Sequence, residues 1–107
     1  GIGVSKALAS YIAAKSGVIN LTKAMALEWT RANIRVNAIA PGYFVTEINQ
    51  EAFDQGAHEL VKQAVPMGRV GEMAEISGPL LLLASDAGSY MTGSVLTVDG
   101  GHLVRSL

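Results

Sequence analysis

Apolar positions in the first third of the chain recur at the steps of a helix. Leu8, Ile12, Val18, Leu21, Met25 and Trp29 fall on this pattern, with several alanines between them, which predicts one long helix over residues 5–31. Ser5 offers a capping side chain at its start. Gly17 weakens the interior by roughly 1 kcal/mol relative to Ala, and its size invites another backbone to come close. The period then changes. Residues 34–39 (Ile34-Arg35-Val36-Asn37-Ala38-Ile39) alternate apolar and polar and stop at Pro41-Gly42, which reads as a strand ending in a turn. A weaker pattern follows, with two short helices expected over 47–53 and 57–65 and Gly56 between them. Residues 67–71 read as a loop. Residues 72–84 read as a helix in which Pro79 should introduce a kink or free the carbonyl of Glu75. Residues 94–98 read as a short strand closed by Asp99-Gly100-Gly101.

A strand, a crossover helix and a second strand make a right-handed parallel unit. Parallel strands need cover on both faces, and the long helix and the 72–84 helix can each supply one, with the Leu80-Leu81-Leu82-Leu83 run buried. Two strands alone make a poor sheet, so the pattern predicts an α/β fold, the edge of a larger doubly wound sheet. No internal repeat or low-complexity linker interrupts it.

Composition narrows the partners. Half of the 107 residues are apolar and 16% are charged, enough for a core and too few charges for disorder. A chain this short buries only about two-thirds of its unfolded surface, so its stability is thin without a partner or more chain. The net charge is -1 and no stretch of Lys and Arg is dense enough to track phosphates, so no nucleic-acid partner is expected. There is no cysteine, which excludes disulfides and thiolate metal sites and fits a cytoplasmic protein. His58 and His102 stand far apart without a ligand cluster, so no metal site is expected. The longest apolar run, residues 79–84, falls far short of the ~20 residues that span a bilayer, and no signal peptide is visible. The first residue is Gly1 rather than Met, so a natural amino terminus is not assumed.

The candidate chemistry lies on the first helix. Tyr11 and Lys15 are four residues apart and on a helix share a face, one turn apart. A free phenol has a pKa near 10, too high for an efficient base at neutral pH. A neighbouring ammonium stabilises the phenolate and lowers it. The same spacing also describes a core tyrosine beside a solvated lysine.

Context favours chemistry. Ser10-Tyr11-Ile12-Ala13-Ala14-Lys15-Ser16-Gly17-Val18 resembles the active-site helix of the short-chain dehydrogenases/reductases. Residues 34–42 resemble the strand and turn that follow it in that family, and Thr46-Glu47 falls where the family places a Thr-acidic pair. Pro66-Met67-Gly68-Arg69, Leu83-Ala84-Ser85-Asp86, Thr92-Gly93 and Val98-Asp99-Gly100-Gly101 match later blocks in order. Pro66-Met67-Gly68-Arg69 and Asp99-Gly100-Gly101-His102 are most similar to the gluconate dehydrogenase and 3-oxoacyl carrier-protein reductase branches.

The resemblance implies that residues 1–107 are the C-terminal part of one Rossmann-type domain and that the protein is an NAD(P)-dependent oxidoreductase interconverting a secondary alcohol and a ketone. It implies sugar acids, polyols or 3-oxoacyl groups as substrate classes. Tyr11 would exchange the proton, while Lys15 would lower its pKa and bind the nicotinamide ribose. The turn at Pro41 and Gly42, the backbone of Phe44 and the hydroxyl of Thr46 would contact the coenzyme, NAD or NADP. Thr46 could equally be a helix N-cap. Residues 47–66 would form a lid over the substrate. Tyr43, Ile48, Phe53 and Met67 are candidates to face it, with packing the alternative for each, and His58 is expected on a solvated face. The resemblance also implies a homodimer or homotetramer through the long helix and the last strand. The 107 residues hold no glycine-rich phosphate loop, and Ser5 and Ser10 stand too close to Tyr11 to serve as the family's catalytic serine. Little or no turnover is therefore expected of this chain alone. The competing reading is a non-catalytic fragment or oligomerisation module derived from that family.

Overall fold

The computed structural model describes the backbone of residues 2–106 and the side chains of residues 13–105. Helix α1 spans Ile2–Trp29 and runs into a 3-10 turn at Thr30–Ala32. Ser5 lies inside α1 rather than capping it. The end is set by Asn33, left-handed at φ 61°, whose N–H donates to the Thr30 carbonyl at 3.0 Å. Asn tolerates this conformation better than most residues.

Strand β1 (Ala38–Pro41) and strand β2 (Val95–Val98) form a two-stranded sheet. The pairing is parallel: the N–H of Ala38 donates to Ser94 O and that of Gly42 to Val98 O, each at 2.9 Å. β1 starts later than the alternation over 34–39 suggests, because residues 36 and 37 spend their polar groups on the loop before β2. The Val36 N–H donates to Thr92 Oγ1 at 3.1 Å, and the Val36 carbonyl accepts from Gly93 N–H at 2.7 Å. The Asn37 amide donates to Met91 O at 2.9 Å and accepts from Ser94 N–H at 3.0 Å. These bonds hold an extended segment outside the regular ladder.

The chain divides into two compact units, residues 1–38 with 88–95 and residues 39–87 with 96–107. In the first, Thr22 and Ala26 on α1 are buried, and the Thr22 hydroxyl donates to the Val18 carbonyl at 2.7 Å. Gly93, at φ 80°, sits where a Cβ would lie 3.5 Å from the Ala26 Cβ. Gly17, where a close approach is expected, has open space around it among the described residues.

The second unit builds its core from Phe53, Val61 and Val65, with Val45, Ala57 and Val70 against them. Helix α2 (Gln50–Ala52) continues through a π segment, Phe53–Ala57, into α3 (His58–Ala64). The two expected helices are thus joined, with Gly56 absorbing the kink at φ 112°, a conformation that costs glycine little. Helix α4 (Ala74–Ala84) runs through Pro79 as one segment. Its leucines correct an expectation: Leu80, Leu81 and Leu82 are exposed, Leu81 at 65%, because no element among the described residues packs over that face. A short helix α5 (His102–Ser106) follows β2. The Asp99 carboxylate makes it, accepting the N–H of Gly101 and of Leu103, each at 2.9 Å. Among the described residues no helix is long and apolar enough to cross a membrane.

Candidate active site

Positions 11 and 15 both fall within α1, so the backbone places them one turn apart on one face. The Tyr11 side chain lies outside the described ones. Lys15 is half-buried. It shares its face with the buried pair Thr22 and Ala26, seven and eleven residues further on, so this is the packed face of the helix.

The turn after β1 belongs to the second unit. Gly42 is held there by shape, since a Cβ would fall 2.7 Å from the Asp99 Cβ and 2.8 Å from its Cα. Pro41 is exposed. Phe44 pairs with Gly71 in an isolated parallel bridge, and the Gly71 N–H donates to Tyr43 O at 2.8 Å. A side chain at Gly71 would collide with the Phe44 ring. The exposed Thr46 donates its backbone N–H to Asn49 Oδ1 at 2.7 Å, while the Asn49 amide donates to Phe44 O at 3.0 Å. Asn49, not Thr46, therefore stands at the head of α2. Its side chain closes the loop instead of bonding a helix N–H, which leaves the Thr46 hydroxyl without a partner among the described residues.

A cavity of about 270 Å³ opens at the carboxyl ends of β1 and β2, lined by Tyr43, Phe44, Met67, Arg69, Thr97 and Asp99 among others. Open α/β sheets bind ligands at this end. Tyr43 and Met67 thus reach it, whereas Phe53 is core and Ile48 is 98% exposed. The Tyr43 ring stacks on His102, centroids 5.2 Å apart at 28°. His58 is exposed, its ring 4.9 Å from that of Phe53.

Arg69 grips Glu75 with both terminal nitrogens, at 2.8 and 3.0 Å. The Glu75 carboxylate also accepts the Glu72 N–H at 2.9 Å. The Arg69 hydrogen bond, followed by the Glu72 N–H, holds the Glu75 carboxyl down at about 2. The same bond raises Arg69 above its ordinary value. Sequence reasoning missed Asn49, Arg69 with Glu75, and Asp99 as ordering groups. The signals were an Asx residue ahead of α2, an Arg six residues before a Glu, and Asp ahead of Gly-Gly. Among the described residues no three His, Cys, Asp or Glu side chains group to hold a metal.

Residues 1–102 match the family described as Enoyl-(Acyl carrier protein) reductase. The 2-dehydro-3-deoxy-D-gluconate 5-dehydrogenase of Escherichia coli K12 is 46% identical over 98 residues, 90% of this chain and 38% of that protein. Among solved structures, gluconate 5-dehydrogenase from Burkholderia cenocepacia, in complex with NADP and tartrate, is 40% identical with a TM-score of 0.76, over 88% of this chain and 37% of that one. 4-Hydroxyisoleucine dehydrogenase complexed with NADH is 37% identical with a TM-score of 0.79, over 90% of this chain and 40% of that one. The fold is the C-terminal portion of a Rossmann-type α/β sheet, and the chain spans about two-fifths of the length of these relatives.

Proposed function

The chain belongs to the short-chain dehydrogenase/reductase family, and from that premise we propose that it is the catalytic-pair-bearing part of an NAD(P)-dependent oxidoreductase that interconverts a secondary alcohol and a ketone. The observation that carries the reading is the placing of Tyr11 and Lys15 one turn apart on the unbroken helix α1. In reduction the Tyr11 phenol donates its proton to the carbonyl oxygen, and in oxidation the phenolate takes one from the alcohol. The Lys15 ammonium favours the phenolate and bonds the nicotinamide ribose. The turn residues suit the carboxamide end of the coenzyme, because the backbone N–H of Thr46 is spent on Asn49 and its hydroxyl remains available. Pro41, Gly42 and Phe44 shape that turn. When bound, the nicotinamide supplies or accepts the hydride. No glycine-rich loop for the pyrophosphate stands in the 107 residues, so the chain alone should show no saturable dinucleotide binding by calorimetry.

The test is Tyr11→Phe in the full-length protein. Turnover should fall by about 10²–10⁴ while coenzyme still binds, and normal turnover would remove Tyr11 from the mechanism. Lys15→Ala should raise the pH needed for oxidation. An unchanged pH profile would leave Lys15 without its role.

A second reading, a non-catalytic module that assembles with copies of itself, is supported by exposed apolar side chains on α1. Leu21 and Leu27 are both exposed, Leu27 at 77%. A homodimer or homotetramer through α1 and β2 fits either reading. Normal turnover in Tyr11→Phe together with retained self-association would favour the second.

A further inference from the structure

The cavity at the ends of β1 and β2 carries a charge pattern that selects its ligand. Arg69 is the one cation among its described lining residues, and Glu75 already neutralises it through two hydrogen bonds. Asp99 is left as the uncompensated charge, so the lining sums to -1, from +1 at Arg69 and -1 at each of Glu75 and Asp99. Each Asp99 oxygen accepts one backbone N–H. A carboxylate has about four lone-pair sites, so it can still accept hydroxyl donors. Thr97 adds a hydroxyl, and Tyr43, backed by His102, adds an aromatic wall.

The geometry points to a neutral, short polyhydroxylated chain as the ligand of this cavity, a polyol or its ketose, in preference to a sugar acid. Hydroxyl groups donate to Asp99 and exchange hydrogen bonds with Thr97, and the carbon chain lies against Tyr43. A carboxylate or phosphate brought to the same place meets Asp99 with no free cation among the described lining residues to offset it. At about 270 Å³ the cavity falls just below the usual range of small-molecule sites, which begins near 300 Å³. That size suits a chain of a few carbons. The inference rests on the oxidoreductase reading only in treating this ligand as a substrate.

D-Glucitol and D-gluconate share a carbon skeleton and differ in one terminal group, so they make the test. With the ¹⁵N-labelled chain at matched ionic strength, glucitol should shift the amides of Gly71, Gly100 and Gly101 saturably. Gluconate should bind about tenfold more weakly, as one screened like-charge contact implies. Asp99→Asn should close that gap by strengthening gluconate. If that variant does not fold, Thr97→Val, which leaves every charge in place, should weaken both ligands and leave glucitol the tighter of the two. Gluconate binding as tightly as glucitol, or no shifts at the three glycines, overturns the inference. Full-length turnover of a hydroxy acid with glucitol excluded would overturn it while leaving the role of Tyr11 intact. Selective glucitol binding beside normal Tyr11→Phe turnover would leave the inference standing and remove only Tyr11 from the mechanism.

Discussion

The two compact units hold themselves together by different means. The first, residues 1–38 with 88–95, is laced by hydrogen bonds. Val36 and Asn37 bond residues 91–94 through backbone and side chain, and the Arg35 guanidinium adds a bond to Met91 O at 3.3 Å. Among the described residues, those buried on α1 are small, Thr22 and Ala26. The second unit, residues 39–87 with 96–107, is held by apolar contact among Phe53, Val61 and Val65. The contrast fits their proposed tasks. The directional polar bonds fix the segment that follows the helix proposed to bear the acid/base pair, residues 35–37, on the 91–94 loop. A cavity needs walls, which packed side chains and close-set glycines supply.

Core truncation should separate them most sharply. Phe53→Ala removes the largest side chain of the second core and should cost about 3 kcal/mol. Hydrogen exchange should then accelerate over residues 39–87 and leave the amides of residues 88–95 unchanged. Equal acceleration in both units would break the division. The converse change is Asn37→Ala, which removes two hydrogen bonds to the loop and should cost about 2 kcal/mol. The amide of Ser94 should exchange faster, with Val61 and Val65 unaffected. A uniform loss of protection would show that the units unfold together.

Legibility in the sequence follows the same line. Elements with a strong local period, α1, α4 and β2, were legible to within a few residues. So was the turn at Pro41-Gly42, because its residues are restricted locally. Contacts between distant residues were not. The start of β1 depends on Asn37 finding the 91–94 loop more than fifty residues away, and no periodicity encodes that. The joining of α2 and α3 depends on Gly56 taking φ 112°, where a glycine reads equally well as a break. The exposure of Leu81 shows the opposite limit: an apolar run states that cover is wanted, not that this stretch of chain supplies it. In the candidate site, the one-turn spacing of positions 11 and 15 was legible because it is internal to one helix. Asn49, Arg69 with Glu75, and Asp99 act by tying segments together and were not.

The smallest expected effect comes from acid, and it bears on the second unit alone. Glu75 is held at about 2 against an ordinary 4.5 by its bond to Arg69. A depressed carboxyl stabilises the folded state fully above the ordinary value, and that contribution is lost as pH falls through about 2. Both side chains are well exposed, so solvent and salt screen the pair and its effect on global stability is small. A local probe is therefore needed. The Glu75 side-chain carbon should titrate with a midpoint near 2, and the Glu72 amide, which donates to the same carboxylate, should shift with it. In Glu75→Gln that low-pH step should vanish from the Glu72 amide while the melting temperature at neutral pH scarcely moves. The Asn37 bonds to the 91–94 loop use no carboxylate, so Ser94 should pass through the same pH range without a step. A Glu75 midpoint in the ordinary range would show that Arg69 does not hold it, and would free a cation for the cavity that the two residues line.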